Sequence, residues 1–152
     1  MKESFTVGEE DVARVAQDVI ETLVSSHKGG ARIVLLEGDL GAGKTTFTKA
    51  LGKELGLHEE DIFSPTFILK KEHTTPHDVF SKLVHIDAYR FENVDEGKVL
   101  KLEEDLEKDG ALIVIEWPSK MGISEGDMRI HFAYNDEGTR DMYIEYDPSY
   151  DK

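Results

Sequence analysis

Apolar positions along the chain follow two rhythms. Between Glu9 and Ser26, the residues Val12, Val15, Ala16, Val19, Leu23 and Val24 recur at helical spacing before Gly29 and Gly30, which predicts a helix packed by one face. Short unbroken apolar runs at Arg32–Leu36, Leu83–Ile86 and Ala111–Ile115 predict buried parallel strands. The first run enters a glycine-rich turn and a second helix, Lys44–Leu55, with Gly56 as its C-cap. The other two deliver Asp87 and Glu116 to their carboxyl ends, so two acids are expected at one rim. Ser4–Val7 reads as a short opening strand, and Phe67, Ile68 and Leu69 form a β-favouring run within Ile62–Glu72. From there to Phe80 the chain, with Pro76, reads as a mobile loop. Asp95–Lys108 reads as a charged helix with Val99, Leu102 and Leu106 inward and its outer face solvated. Met128–Tyr134 and Thr139–Tyr146 flank Asn135-Asp136-Glu137-Gly138, the signature of an antiparallel hairpin at the sheet edge.

These elements make an α/β fold with a mostly parallel sheet and a C-terminal antiparallel hairpin at its edge. The 152 residues contain no internal repeat and no Pro/Gly-rich linker, so 1–152 is read as a single domain. Charge narrows the partners: 18 Lys and Arg against 32 Asp and Glu leave a net −14, which repels phosphate backbones and argues against direct tRNA binding. Without cysteine the chain has neither disulfides nor thiolate chemistry. No apolar leader and no long uncharged apolar run is present, which makes a cytoplasmic protein without membrane contact the expectation.

The chemistry starts at Gly38-Asp39-Leu40-Gly41-Ala42-Gly43-Lys44-Thr45, a Walker A string placed between a predicted strand and a predicted helix. Glycines let the backbone bend with positive φ and bring its N–H groups against phosphate oxygens, and the helix adds its partial positive end. By this pattern Lys44 bridges the outer phosphates, Thr45 offers its hydroxyl to Mg²⁺, and Thr46 follows for a secondary contact. Mg²⁺ takes hard oxygen ligands, so a carboxylate near the loop is expected. Asp87 and Glu116 compete for that role. Either can hold the metal while the other orients the attacking water; we favour Glu116 for Mg²⁺ and Asp87 for the reactive end. Ser64-Pro65-Thr66 lies where such folds place a γ-phosphate-sensing hydroxyl, which makes Thr66 the switch candidate, although a tight proline turn explains the same letters. Trp117 directly follows Glu116 and is either core packing or a partner-facing anchor. His73 and His77 have metal-like spacing, but the intervening Thr-Thr-Pro breaks the helix that would align them.

Four stretches stand in order: LeuGluGlyAspLeuGlyAlaGlyLysThrThrPhe from Leu36, SerProThrPhe from Ser64, HisIleAspAlaTyrArgPhe from His85 and IleGluTrpPro from Ile115. Together they resemble the TsaE family, formerly YjeE, the bacterial ATPases of tRNA threonylcarbamoyladenosine biosynthesis, over about Phe5 to Tyr146. The resemblance implies a P-loop NTPase-like three-layer sandwich that hydrolyses ATP with Mg²⁺ and acts with the TsaB–TsaD complex without itself modifying tRNA. It implies nucleotide contacts from Leu40, Gly41, Ala42, Gly43, Lys44, Thr45, Thr46 and Asp87, metal contacts from Thr45 and Glu116, catalysis at Lys44, Asp87 and Glu116, and a switch at Thr66. It also moves Trp117 toward a functional role and adds Glu10 and Arg140 as nucleotide contacts. The chain departs from the family pattern at Ala88, where Leu is common, and at Lys101, where Gly is frequent.

Two other functions use the same loop. A small-molecule kinase needs an arginine-bearing lid, and the five arginines, Arg14, Arg32, Arg90, Arg129 and Arg140, form no such cluster. A nucleotide-dependent binding module would change partner affinity without turnover. A monomer, or a weakly self-associating chain, is expected.

Overall fold

The computed structural model describes residues 2–7, 9–25, 30–39, 43–58, 70–93, 95, 102–134 and 140–147; side chains of residues 2–10, 134 and 140 lie outside that description. Seven strands, β1 (Lys2–Val7), β2 (Arg32–Gly38), β3 (Lys70–Thr74), β4 (Lys82–Asp87), β5 (Ala111–Glu116), β6 (Met128–Tyr134) and β7 (Arg140–Tyr146), form one sheet in the order β1-β7-β6-β2-β5-β4-β3. The centre is parallel: β2 pairs with both β5 and β6, and β4 pairs with β5. Antiparallel pairs flank it, with β3 on β4 at one side and β6, β7 and β1 at the other. The α/β class, the parallel core and the C-terminal hairpin are therefore as the sequence implies, and β1 extends the sheet beyond that hairpin.

Alternation along the buried strands fills two faces. Val34, Leu36, Leu83, Leu112 and Val114 face α1 (Glu9–Val24) and α2 (Lys44–Glu54), meeting Val15, Val19, Leu23, Phe47 and Leu51. Leu35, Val84, Ile86, Ile113 and Ile115 face the other side, under α3 (Leu102–Leu106) and a 3₁₀ turn at Pro118–Met121. Helices on both faces make three layers. Twenty residues in the larger cluster, most of them fully buried, supply the hydrophobic driving force for this arrangement.

Three details correct the sequence reading. Val24 is 37% exposed, and Ile20 takes the inward place on α1, because Val24 lies a third of a turn off the stripe that Val12 begins. In α3, Leu106 faces solvent and Asp105 is buried at 1% exposure. Lys70 Nζ lies 2.5 Å from Asp105 Oδ2, with Lys82 and Lys108 each 3.6 Å from Oδ1. Burial works against the charge of Asp105, but these lysines, Lys70 foremost, outweigh it and hold the carboxyl below its ordinary range. Third, the segment before Phe80 is pinned and not mobile. Lys70–Thr74 is a strand, the Thr75 N–H donates to Ser81 O at 2.8 Å, and the Thr75 hydroxyl donates to Phe80 O. His77 Nδ1 accepts the N–H groups of Val79 and Phe80 at 3.1 and 3.0 Å, so this histidine braces a turn and takes no part in a metal pair with His73.

Candidate phosphate site at the carboxyl rim of the sheet

Parallel pairing places three strand ends side by side. Asp87 is opposite Glu116, Glu116 is opposite Leu36, and β2 ends two residues further on at Gly38. A rim of this kind, outside the carboxyl ends of parallel strands, is where open α/β sheets bind ligands. Gly38 must be glycine: its φ is 145°, and a Cβ there would meet Phe132 O at 2.6 Å. Gly43, with φ 108°, turns the chain into α2, whose first bond runs from the Phe47 N–H to Gly43 O at 2.9 Å. The free N–H groups of the first turn of α2 are thereby left at the rim.

Lys44 is 4% exposed although it is a lysine at a helix start. Its ammonium donates to Gly38 O and to Asp39 O, the latter at 3.3 Å, and lies 4.2 Å from the centroid of the Trp117 ring. Burial lowers the Lys44 pKa from its ordinary value, against the charges of Glu116, Asp87 and Asp39. Asp87 is pushed the opposite way. Burial raises its carboxyl, Glu116 adds to the rise, and the Tyr89 N–H bond to Oδ1 at 3.0 Å works against it. A cation losing its charge more easily, beside an acid gaining a proton more easily, marks a site where desolvation dominates.

Glu116 is 3% exposed and binds His85 Nε2 through Oε2 at 2.6 Å. His85, fully buried, was missed by sequence because it sits inside an apolar run. The available signal was its place two residues before Asp87, on the same face of β4. Trp117 has φ 59° and ψ 52°, the only left-handed non-glycine backbone among the described residues. Its N–H reaches Leu36 O at 3.2 Å, and its ring contacts Tyr89, centroid to centroid 5.1 Å. Such a conformation costs about 1–2 kcal/mol outside glycine, so packing of the indole against the core must hold it.

The other sequence-predicted residues divide by placement. Thr45 and Thr46 follow Lys44 in the first turn of α2, Thr45 half-buried and Thr46 exposed. Thr48, which sequence did not single out, turns its hydroxyl inward onto Lys44 O at 3.0 Å. Arg140 opens β7 opposite Val7, and Glu10 lies three residues after Val7 in α1, so both backbones stand at the rim end of the sheet; their side chains are outside the description. Leu40, Gly41, Ala42 and Thr66 lie outside the described residues.

The donor set fits Mg²⁺. Two carboxylates, at the ends of neighbouring strands, and the Thr45 hydroxyl at the start of α2 are hard oxygen donors. Among the described residues no group of three or more His, Cys, Asp or Glu forms a metal cluster. No helix there is long and apolar enough to cross a membrane.

Comparison with known proteins adds family information. Residues 6–142 match the family model described as threonylcarbamoyl adenosine biosynthesis protein TsaE. A tRNA threonylcarbamoyladenosine biosynthesis protein TsaE from Nostoc sp. is 40% identical over 116 residues, covering 74% of this chain and 68% of that one. Its counterpart from Aquifex aeolicus is 33% identical over 121 residues, 79% of each chain. The crystal structure of YdiB from Bacillus subtilis superposes with a TM-score of 0.69 at 25% identity, covering 99% of this chain and 89% of that one.

Proposed function

The chain belongs to the TsaE family of tRNA threonylcarbamoyladenosine biosynthesis, and from that premise we propose that it is a Mg²⁺-dependent ATPase acting with the TsaB–TsaD complex and slow on its own. The observation that carries the reading is the buried Lys44, held between Gly38 O, Asp39 O and the Trp117 ring, facing two carboxylates at paired strand ends. The Lys44 amine has already lost its hydration, so an arriving phosphate oxygen displaces backbone carbonyls and an aromatic face, both weaker partners for a cation. Thr45 and Glu116 are the residues to hold Mg²⁺, which when bound neutralises charge on the phosphate oxygens.

Asp87 takes the reactive end. Its raised proton affinity suits a group that orients a water and draws its proton as the water oxygen bonds to the γ-phosphorus and the bond to ADP breaks. Leu40, Gly41, Ala42 and Gly43 contribute backbone donors to the phosphates, with Thr46, Glu10 and Arg140 at the nucleotide's margin. Thr66 is the γ-phosphate switch and Trp117 the residue through which occupancy reaches a partner. With no arginine finger among the described side chains, turnover alone is about 10³ to 10⁵ below the stimulated rate, which gives the TsaB–TsaD complex its regulatory place. The strongly acidic surface keeps tRNA contact with the partner.

The test is ATP hydrolysis by the purified chain, alone and with the TsaB–TsaD complex, with Lys44→Ala as the blank. Weak turnover that rises with the complex and vanishes in the variant is expected. Tight ATP binding with no hydrolysis in either condition would sink the ATPase in favour of a binding module. Phosphate transfer to a metabolite in preference to water would favour a kinase.

A further inference from the structure

We infer that His85 is a positioning residue for Glu116, fixing one carboxylate oxygen so that the other is presented to the metal and phosphate at the rim. The inference rests on the proposed function, since it assigns a support to one of that site's ligands.

Register explains how the pair meets. β4 and β5 run parallel with His85 opposite Val114 and Asp87 opposite Glu116, so His85 and Asp87 project from one face of β4 toward the same neighbouring strand end. The imidazole lies one step deeper than Asp87 and reaches Glu116 Oε2 at 2.6 Å from beneath the rim. Both side chains are buried, His85 at 0% and Glu116 at 4% side-chain exposure, so water does not compete for this bond. Buried charge-assisted bonds of this length are strong and geometrically restrictive.

The rest of the ring argues against a merely space-filling histidine. Nδ1 is buried and has no hydrogen-bond partner among the described residues. A buried polar atom left unpaired is a cost, and the neighbours Leu83, Val84 and Ile86 show that apolar side chains fill this strand without it. The unpaired Nδ1 also selects the tautomer: a proton there would be a stranded donor, so the ring carries its proton on Nε2 and donates to Oε2. Oε2 is thereby committed inward, and a single oxygen, Oε1, is left to act as ligand. Supports of this kind to metal ligands change metal affinity by about tenfold to a hundredfold when removed.

Binding of ADP, with and without Mg²⁺, is measured by calorimetry on the wild-type chain, His85→Leu, His85→Gln and Glu116→Gln, alongside thermal melts. In His85→Leu, ADP affinity without Mg²⁺ stays at the wild-type value while the gain in affinity on adding Mg²⁺ falls about tenfold or more. His85→Gln, which can place an N–H near Oε2, recovers most of the gain. A purely structural role would lower the melting temperature and leave the Mg²⁺-dependent gain unchanged, and that result overturns the inference. Should His85→Leu not fold, ¹⁵N spectra of the wild-type histidine rings decide. The His85 signals then report a proton on Nε2 and shift when Mg²⁺ is added to the ADP complex; a bare Nε2, or no shift, overturns the inference. A wild-type chain with no Mg²⁺-dependent gain at all removes the proposed function itself. A gain lost in Glu116→Gln but kept in His85→Leu removes only the role of His85.

Discussion

Replacing Asp105 by asparagine keeps the shape of the side chain and deletes the charge that joins α3 to the β3–β4 pair. Asp105 is 1% exposed and faces Lys70, Lys82 and Lys108, whose side chains are 17%, 24% and 51% exposed. Removing one partner of a fully buried pair costs about 3–5 kcal/mol, because the remaining charge is stranded. Here Lys82 and Lys108 can turn into water, so the loss is close to that of one strong charged hydrogen bond, the 2.5 Å contact with Lys70, about 2 kcal/mol. For a chain of this length that lowers Tm by about 4–8 °C. The effect has a pH signature. The folded-state pKa of Asp105 is depressed, so its contribution is fully present above the ordinary 3.8 and is lost as pH falls through the lower folded value. Urea melts of wild type and Asp105→Asn at pH 7 and at pH 3 measure it, with a second pair carrying Lys70→Met to close a double-mutant cycle. A difference below about 0.5 kcal/mol at pH 7, no narrowing toward pH 3, or no coupling to Lys70 would refute the reasoning.

Two further outcomes follow from the rim. Asp87 has a raised folded-state pKa, so the folded chain binds more protons than the unfolded one from pH 3.8 up to that raised value, and stability falls as pH rises across this window. Asp87→Asn should therefore be more stable than wild type toward urea at pH 7, with the gain absent near pH 3, while ATP hydrolysis is lost. Trp117 is the single tryptophan and has the Lys44 ammonium 4.2 Å from its centroid, a contact worth about 0.5–2 kcal/mol. Lys44→Ala should change its emission, and ADP added to wild type should change it in the same direction as the amine leaves for phosphate; superimposable spectra of the two proteins would count against that geometry.

Local pattern made much of this fold legible. Leu83–Ile86 and Ala111–Ile115 are apolar but for His85 because parallel strands covered on both faces have no polar side to show, and each is followed by an acid at the rim. The Gly-rich string between β2 and α2 is legible because the turn demands residues without Cβ, as Phe132 O above Gly38 shows. Pairings between distant segments were not legible. Nothing near Lys2–Val7 says that its partner is β7, since backbone hydrogen bonding carries no sequence code. Asp105 read as one more charge on a solvated face, because only the fold brings Lys70 and Lys82 over it. His85 was hidden for the opposite reason: its apolar neighbours described its burial correctly and masked the one polar group among them.

The pairing of β1 has a consequence for the order in which the protein is made. β1 is synthesised before the other described strands, yet its only ladder among them is with β7, which is made after all of them. Until Tyr146 has emerged, the backbone groups of Lys2–Val7 have only water to bind, and the apolar stripe of α1 lacks Met142 and Ile144 from its cluster. The nascent chain can assemble β2, β4 and β5 while it grows, but sealing this side of the molecule waits until β7 is made. Contacts of such long sequence separation fold slowly and leave an open strand edge exposed meanwhile, so the growing polypeptide is most vulnerable to mispairing at the β1–β7 side of the sheet.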